Sequence, residues 1–285
     1  MEVARKVGAE IVSLDAFQIY RGMDIGTAKP TAQDREEIPH HMIDLVDPEE
    51  VYSAADYRRQ AETVWKVLQS QKKPTLWVGG TGLYHRVMTE GLSTAPRTDP
   101  QTAAEIEAMS TAEMIEEIRR VDSQWSEKAD LQNRRRVVRA LAVWRQTGRK
   151  MSDWQSQGTQ RGVLAGAKCF VLMPGMEKLT QAIQQRVERM LTEGWGEEVK
   201  KLQRREGWEK SPSNRAIGYR EVADWVQGKM GRQEACDKIV TKTRAYAKRQ
   251  LTWFRGIPTY QTIEIPSHER LPRESVETLA SALSS

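Results

Sequence analysis

The segment 75–84, TLWVGGTGLY, decides how the first part of the chain folds. Its first four residues, Thr75–Val78, form an apolar run that is too short for a helix and predicts a strand. The glycine-rich turn Gly79–Gly82 then leads directly into a second apolar segment, which has helical spacing and ends at Gly91. We therefore predict a strand that passes through a tight turn into a helix.

The sequence upstream of this segment repeats the same order of elements. Residues Glu10–Leu14 predict a strand that ends at Asp15, and Ser53-Ala-Ala-Asp56 is a capping box that begins a helix. Alternating strands and helices indicate the α/β class, with a parallel sheet and helices on its faces. Because ligands of such sheets bind beyond the carboxyl ends of the strands, we expect Asp15 and Thr81 to share one cleft.

The middle of the chain has a different pattern. Only helical spacings occur between Asp99 and Gly162, whereas Lys168–Met173 predicts a strand that returns to the sheet. We predict a core domain formed by residues 1–98 and 164–285, and an inserted all-helical lobe formed by residues 99–163. The tail after Pro258 is polar and lacks periodicity, so we expect it to be partly mobile.

Composition excludes several classes of protein. A chain of 285 residues can bury a sizeable core, and its only cysteines, Cys169 and Cys236, exclude a disulfide-stapled mini-protein and a metal site built on sulfur. No apolar run approaches the roughly 18 residues of a membrane span. We expect a cytoplasmic protein that is a monomer and has no membrane partner.

The net charge of +5 is small, but the positive charge is concentrated in two stretches that contain no Asp or Glu. A charge run is usually a solvated helix face, yet such faces interleave both signs, as residues 197–201 do. Unopposed cations repel one another unless a polyanion neutralises them, so both stretches predict binding to a phosphate backbone. The first basic stretch, Leu131–Ser152, carries Arg134, Arg135, Arg136, Arg139, Arg145, Arg149 and Lys150; the second basic stretch, Lys238–Arg255, carries Lys238, Lys242, Arg244, Lys248, Arg249 and Arg255.

Two short motifs carry candidate chemistry. The turn Gly79–Tyr84, GGTGLY, exposes backbone N–H groups at a helix N-terminus and could bind a phosphate or diphosphate, or could be only a tight turn. Asp15 could be a capping residue, which is the commoner role of an Asp after a strand. Asp15 and Gln18 also place a carboxylate and an amide close together in a loop, a pair suited to an adenine amine and ring nitrogen.

Helices in the two basic stretches leave further alternatives open. In the helix after Asn133, Arg135 and Arg139 lie one turn apart on a face that is free for a partner. Aromatic residues of the last long helix could stack on bases, but helical aromatics are more often core, which is the interpretation that we favour. These aromatic residues are Tyr246, Trp253 and Phe254.

Histidine and aspartate residues in residues 40–47 could suggest a metal site. Loop histidines beside a proline are more often structural, and no second cluster supports a metal. We therefore identify no metal ligands in the sequence. The residues concerned are His40, His41, Asp44 and Asp47.

Six sequence motifs, in their order along the chain, resemble those of the tRNA dimethylallyltransferases. Adenylate isopentenyltransferases share the ancestry, but the basic insertion and the last motif resemble the tRNA-modifying branch. The motifs span most of the chain and are DAFQIYRGMDIGTAKPT (Asp15–Thr31), PHHMID (Pro39–Asp44), YSAADYRR (Tyr52–Arg59), GGTGLY, RAIGYRE (Arg215–Glu221) and YAKRQLTWFR (Tyr246–Arg255).

The resemblance implies a P-loop kinase-like core with an inserted helical domain that clamps the anticodon stem-loop of tRNA. The implied reaction transfers a dimethylallyl group from dimethylallyl diphosphate to the exocyclic amine of the adenine 3′-adjacent to the anticodon. By analogy Asp15 is the general base, Gln18 helps to hold the adenine, and Thr81 stabilises charge on the leaving group.

The resemblance also implies binding roles for further residues, and Mg²⁺ as the cofactor. The residues expected to contact tRNA come from the loop after the first strand and from the helix of the first basic stretch. They are Asp15, Ala16, Phe17, Gln18, Arg135, Arg136, Val137, Val138 and Arg139, and those expected to bind the diphosphate are Thr81, Arg215 and Arg220.

Some features depart from the family pattern. Family members place a loop of the form GPTASGK[ST], which holds diphosphate and Mg²⁺, about twenty residues before the counterpart of Asp15, and this sequence shows no such loop. Ala103 and Ala182 stand where relatives have arginines. These departures leave two hypotheses open: a transferase whose native chain is longer, or a catalytically inactive tRNA-binding remnant. Without the strand before that loop, we expect a gap in the sheet.

Overall fold

The computed structural model describes residues 1–157, 159–265 and 271–283 of the chain. The chain divides into two compact units: unit 1 contains Met1–Val87 and Gly166–Ser285, and unit 2 contains Met88–Ala165. Unit 2 thus begins before, and ends after, the lobe boundaries expected from the sequence. Within the described ranges, no helix is both long enough and apolar enough to cross a membrane.

Helices outnumber strands in both units, and the strands are short. From the N-terminus to the end of the GGTGLY segment the elements are α1 Glu2–Val7, β1 Glu10–Ser13, α2 Ala32–Glu37, β2 His40–His41, α3 Ala54–Ser70, β3 Thr75–Val78 and α4 Gly82–Thr89. The following elements are β4 Leu92–Ser93, α5 Pro100–Glu107, α6 Thr111–Val121, α7 Ser123–Lys128, α8 Arg134–Thr147, α9 Met151–Ser156 and β5 Thr159–Gln160. The last are β6 Phe170–Pro174, α10 Met176–Thr192, α11 Trp195–Gln203, α12 Tyr219–Val226, α13 Arg232–Arg255, β7 Gln261–Ile265 and α14 Arg273–Leu283.

Unit 1 contains a three-stranded parallel sheet in the order β2-β1-β3, which confirms the predicted α/β class. The connection from β1 to β3 runs through α3, whose capping box at Ser53 and Asp56 is formed in both directions. Helix α3 is held on the sheet by Tyr57, whose hydroxyl donates to the Ser13 carbonyl at 2.7 Å. The Tyr57 ring also stacks on Tyr84 of α4, with 3.8 Å between the ring centroids.

Strands β6 and β7 form a separate two-stranded parallel sheet. The prediction that residues 168–173 return to the first sheet is therefore wrong, because β6 pairs only with β7 among the described residues. The outer edge of β3 likewise has no strand partner in these ranges. The tail, for which the sequence shows no periodicity, supplies β7 and α14, whereas its residues 266–270 and 284–285 lie outside the described residues. Segment 261–265 was missed because a five-residue strand gives little local signal and its partner lies far away in sequence.

The helical part of unit 1 surrounds the loop between β1 and α2. Its apolar core contains Met23 from this loop together with side chains of α10, α11, α12 and α13, among them Trp195 and Tyr219. Gly218 has a positive φ of 96°, and a Cβ there would lie 2.1 Å from the Trp195 ring. Only glycine combines that backbone conformation with such close packing.

Unit 2 is predominantly helical, with an apolar core between α5, α6 and α8. The expectation of an all-helical lobe needs one correction, because β4 and β5 form a short antiparallel pair. Helix α8 is capped at its N-terminus by Asn133, whose side chain accepts a hydrogen bond from the Arg136 N–H, and at its C-terminus by Gly148, which has a left-handed φ of 67°. Both ends therefore follow from local capping rules.

Candidate active site and nucleic-acid interface

The pairing of β1 with β3 brings the loop after β1 against the glycine-rich turn after β3. The Thr81 N–H donates to the Leu14 carbonyl at 3.2 Å, and the Thr81 hydroxyl oxygen accepts from the Ala16 N–H at 3.1 Å. A Cβ on Gly79 would lie 2.4 Å from the Leu14 carbonyl oxygen, so this approach requires glycine. Asp15 and Thr81, which are distant in sequence, thus lie side by side at the ends of neighbouring strands.

The Asp15 carboxylate is fixed through one of its two oxygens. Oδ1 accepts hydrogen bonds from the Phe17 N–H at 2.8 Å and from the Gln18 N–H at 3.1 Å. Oδ2 receives no hydrogen bond from any residue that the structure describes. The group therefore has a defined orientation and an oxygen available to accept a proton from a bound molecule.

Both polar atoms of the Gln18 side chain form hydrogen bonds within unit 1. Its Oε1 accepts from the Ser13 hydroxyl at 2.9 Å, and its Nε2 donates to the carbonyls of Thr27 at 3.3 Å and Ala28 at 3.2 Å. Both hydrogens of the amide nitrogen are thereby occupied, so the side chain braces the loop. Phe17 is partly buried against the apolar core of unit 1, which leaves Asp15 as the side chain of this motif with an unused acceptor.

Lys29 anchors the far end of the same loop. Its side chain is 1% exposed, and Nζ donates to the Tyr20 carbonyl at 2.7 Å, to Asp24 at 2.7 Å and to Asp44 at 2.6 Å. Burial alone would raise the pKa of Asp44, but hydrogen bonds from Lys29 and Arg35 outweigh it and the net shift is downward. Asp44 therefore serves an internal ion pair.

The histidines near Asp44 also have internal partners. His40 Nδ1 lies 2.7 Å from the Ile38 carbonyl oxygen, and His41 Nε2 lies 2.6 Å from Glu10 Oε2. Across residues 1–157, 159–265 and 271–283, no group of three or more His, Cys, Asp or Glu side chains is placed to hold a metal ion.

Helix α13 covers the glycine-rich turn from the other side. Gln250 Nε2 donates to the Gly80 carbonyl at 2.9 Å, and a Cβ on Gly82 would lie 2.7 Å from the Trp253 ring. Phe254 packs edge-on against His85, with 5.0 Å between the ring centroids. Trp253 and Phe254 therefore pack within unit 1, as the core interpretation of these aromatic residues requires.

Tyr246, on the same helix, has a different environment. Its ring is 36% exposed, and its hydroxyl lies 3.5 Å from the Gly80 carbonyl oxygen. Burial and the negative charge of Asp15 raise the pKa of the phenol, while contacts with Gln250 and Thr81 oppose that increase. The hydroxyl therefore stays protonated beside Asp15 and Thr81. Nothing in the sequence distinguished Tyr246 from its aromatic neighbours.

Three arginines of unit 1 are candidates for an anionic ligand. Arg186 of α10 was not predicted; desolvation lowers the pKa of its guanidinium, and the Asp15 charge opposes this decrease. Arg215 and Arg220 are exposed, on a 3-10 turn and in the first turn of α12. Neither forms a hydrogen bond or an ion pair with a described residue, so the structure leaves their charges available but does not join them to Asp15 or Thr81.

In unit 2, the residues expected to contact tRNA fall into two groups. Val137 and Val138 are 1% and 6% exposed and belong to the apolar core, so their side chains do not face solvent. Arg139 donates to the Thr98 hydroxyl at 2.7 Å and to the Ala95 carbonyl at 3.2 Å, so the expectation that it is free for a partner is wrong. Arg135 and Arg136 are exposed, and their side chains have no partner within the described residues.

Known proteins that resemble this chain share one family description. The family model described as IPP transferase matches residues 18–257. The chain is 38% identical over 266 residues to a tRNA dimethylallyltransferase of Syntrophobacter fumaroxidans, covering 92% of this chain and 78% of that protein. It is 31% identical to the solved tRNA isopentenylpyrophosphate transferase of Bacillus halodurans, with a TM-score of 0.69, covering 99% of this chain and 90% of that one. A eukaryotic dimethylallyltransferase acting on tRNA shares the fold, with a TM-score of 0.82 at 23% identity, over 97% of this chain and 72% of that one.

Proposed function

The chain belongs to the IPP transferase family, and from this premise we propose that it transfers a dimethylallyl group from dimethylallyl diphosphate to tRNA. The acceptor is the exocyclic amine of the adenine 3′-adjacent to the anticodon. The observation that carries the proposal is the pairing of Asp15, with one oxygen fixed and the other unused, with the Thr81 hydroxyl at the ends of adjacent parallel strands.

In the proposed step the adenine amine attacks the first carbon of the dimethylallyl group. A nitrogen–carbon bond forms, the carbon–oxygen bond to the diphosphate breaks, and the diphosphate leaves with the electron pair. The proton released from the amine passes to Asp15 Oδ2, because Oδ1 is held by two backbone N–H groups. The adenine must leave the stack of the anticodon loop to reach this carboxylate.

Thr81 and Tyr246 are proposed to stabilise the leaving group. The Thr81 oxygen accepts from the Ala16 N–H, and its hydroxyl group also contacts Tyr246. We propose that this hydroxyl donates to the bridging oxygen of the diphosphate when the substrate is bound. The Tyr246 hydroxyl is a second protonated donor at the same cleft. Arg215 and Arg220 are proposed to bind the diphosphate, since both residues are exposed and neither side chain has a partner among the described residues.

Mg²⁺ is the metal that the family resemblance implies. Such ions are commonly held by one or two carboxylates together with substrate phosphates. The described residues contain no cluster of ligands for a metal ion, and Asp24 and Asp44 are engaged by Lys29. Every step above is therefore assigned to protein side chains, and none is routed through a metal ion.

Recognition of the anticodon stem-loop is proposed to involve Arg135 and Arg136 of unit 2. Their exposed guanidinium groups are suited to the RNA backbone, whose phosphates supply most of the affinity in such complexes. We further propose that the protein acts as a monomer, and we place the reaction in the cytoplasm with its tRNA substrate.

The proposal is tested by transfer of labelled dimethylallyl diphosphate to an unmodified anticodon stem-loop in the presence of Mg²⁺. We predict that Asp15→Asn lowers the rate by about 10²- to 10⁴-fold, as expected for loss of a general base. Glu36→Gln, at an exposed acid of α2, is the matched control and retains the wild-type rate. Salt-sensitive RNA binding without transfer by the wild-type chain would instead favour the inactive tRNA-binding protein. Full activity of Asp15→Asn would remove Asp15 from the mechanism.

A further inference from the structure

Glu198 of α11 is a buried carboxylate with an unusual set of partners. Glu198 is only 9% exposed. Oε2 accepts from the N–H groups of Asp24 at 2.8 Å and Ile25 at 2.6 Å, and Oε1 accepts from the Gly26 N–H at 3.2 Å. The Tyr219 hydroxyl donates to Oε1 at 2.8 Å. The interleaved charges of residues 197–201 suggested a solvated face, which is wrong for this residue.

The turn that Glu198 binds is enclosed by aromatic side chains. A Cβ on Gly26 would lie 2.2 Å from Trp195 Nε1 and 2.7 Å from the Tyr219 ring. The three N–H groups of the turn therefore point at the carboxylate inside a packed core. Buried N–H groups are costly to leave without an acceptor, so the turn depends on both Glu198 oxygens for its position.

A path of backbone segments and hydrogen bonds leads from this turn to Asp15. The carbonyls of Thr27 and Ala28, which follow the turn directly, accept from Gln18 Nε2. The backbone N–H of Gln18 in turn donates to Asp15 Oδ1. The path from Glu198 to Asp15 thus has two intermediates, the backbone of residues 24–28, which contains the turn, and Gln18.

We propose that Glu198 is a positioning residue that sets the orientation of the Asp15 carboxylate through this path. The inference rests on the proposed function, in which Asp15 accepts the amine proton. Misplacement of a catalytic group by about 1 Å can lower a rate about 10²-fold, so a shift passed along this path has a measurable kinetic effect.

Glu198→Gln preserves the size of the side chain but not its hydrogen bonding. The amide has one acceptor oxygen in place of two, and its NH₂ group faces backbone N–H donors. We expect the single-turnover rate constant, with both substrates saturating, to fall at least 10-fold, while the amplitude stays near that of the wild type. Glu197→Gln is the matched control, because Glu197 is exposed on the same helix and pairs with Lys200. Among the described residues it forms no hydrogen bond with the turn.

The rate constant and the amplitude separate positioning from a purely structural role. Partial unfolding would lower the amplitude and leave the rate constant of the folded fraction unchanged, which would overturn the proposal. Gln18→Met tests the path, since we expect Glu198→Gln and Gln18→Met together to slow transfer no more than the slower single variant does. If the double variant is slowed by the product of the two single-variant factors, Glu198 does not act through Gln18.

Hydrogen exchange measured on the same proteins tests the inference independently of activity. In Glu198→Gln we expect faster exchange of the amides of residues 24–26, which bind Glu198, and also of Phe17 and Gln18, which bind Asp15. If the wild-type chain transfers nothing, the proposed function fails, and exchange alone decides whether Glu198 orders the Asp15 carboxylate. Unchanged exchange at Phe17 and Gln18 would overturn the inference.

Discussion

The two basic stretches look alike in sequence but have different environments in the structure. Both lack acidic residues, and both lie mainly on a helix, α8 in unit 2 and α13 in unit 1. Two of the six cations of the second basic stretch have acidic partners from outside it: Lys238 pairs with Glu234 at 2.7 Å, and Lys242 pairs with Glu221. Arg244, Lys248 and Arg255 are exposed, and their side chains have no partner among the described residues. Arg249 lies over the Tyr246 ring at 5.7 Å. A stretch that contains no acidic residue can therefore still have acidic partners, which come from other parts of the chain.

In α8 the cations divide between internal and exposed positions. Arg134 donates to the carbonyls of Glu107 and Met109, and Arg145 forms an ion pair with Glu117 at 2.6 Å. Arg135 and Arg136 have no such partner among the described residues and remain exposed. We propose that RNA binding through the first basic stretch depends on these two arginines. The second basic stretch holds two of its cations in ion pairs and places Gln250 and Trp253 against the glycine-rich turn.

The largest expected effect is on the stability of unit 1. Trp253→Ala removes the ring that packs on Gly82 and Phe254, and we expect unfolding in urea to require about 3 kcal/mol less free energy. Lys248→Ala, at an exposed position of the same helix, is the control and should have no measurable effect. Unchanged stability together with weaker RNA binding in Trp253→Ala would instead show that this residue stacks on bases.

The next effect is on RNA affinity. Replacing both Arg135 and Arg136 with alanine should weaken binding of the anticodon stem-loop. The slope of log Kd against log salt should fall by about one for each phosphate that the variant no longer neutralises. Lys201→Ala removes an exposed cation outside both stretches and should leave the slope unchanged. An unaltered slope in the double variant would contradict the role given to α8.

The smallest effect is expected at Lys238. Exposed ion pairs one helical turn apart contribute little to stability, and Lys238 already has Glu234 as its partner. Lys238→Ala should therefore change neither the melting temperature nor the salt dependence of RNA binding. A marked loss of RNA affinity in this variant would remove the difference between the two stretches.

Local features of the fold were predictable from the sequence. Strands β1 and β3, the capping box of α3 and the start of α8 at Asn133 follow from patterns confined to a few residues. The proximity of Asp15 and Thr81 also followed, because the carboxyl ends of adjacent parallel strands lie at one edge of a sheet.

Features that depend on distant partners were not predictable. Strand β6 pairs with β7, for which the tail gave no signal, and Arg139 is bound to Thr98 and Ala95, which precede α8 by many residues. Glu198 resembles its exposed neighbour Glu197 in sequence, and only the fold places it against the turn at residues 24–26. The order of charged residues along the sequence does not show which of them are buried or which form hydrogen bonds with distant parts of the chain.

We propose that the chemistry depends on Asp15 of unit 1 and that RNA affinity depends on Arg135 and Arg136 of unit 2. Single-turnover transfer, measured over a range of stem-loop concentrations, tests it most directly by separating the saturating rate from the concentration of RNA at half-saturation. We predict that Asp15→Asn lowers the rate constant at saturating RNA and leaves the RNA concentration at half-saturation unchanged. The variant that lacks both arginines should raise the RNA concentration at half-saturation and retain the saturating rate constant. The opposite assignment, or equal effects of both variants on both quantities, would contradict the account.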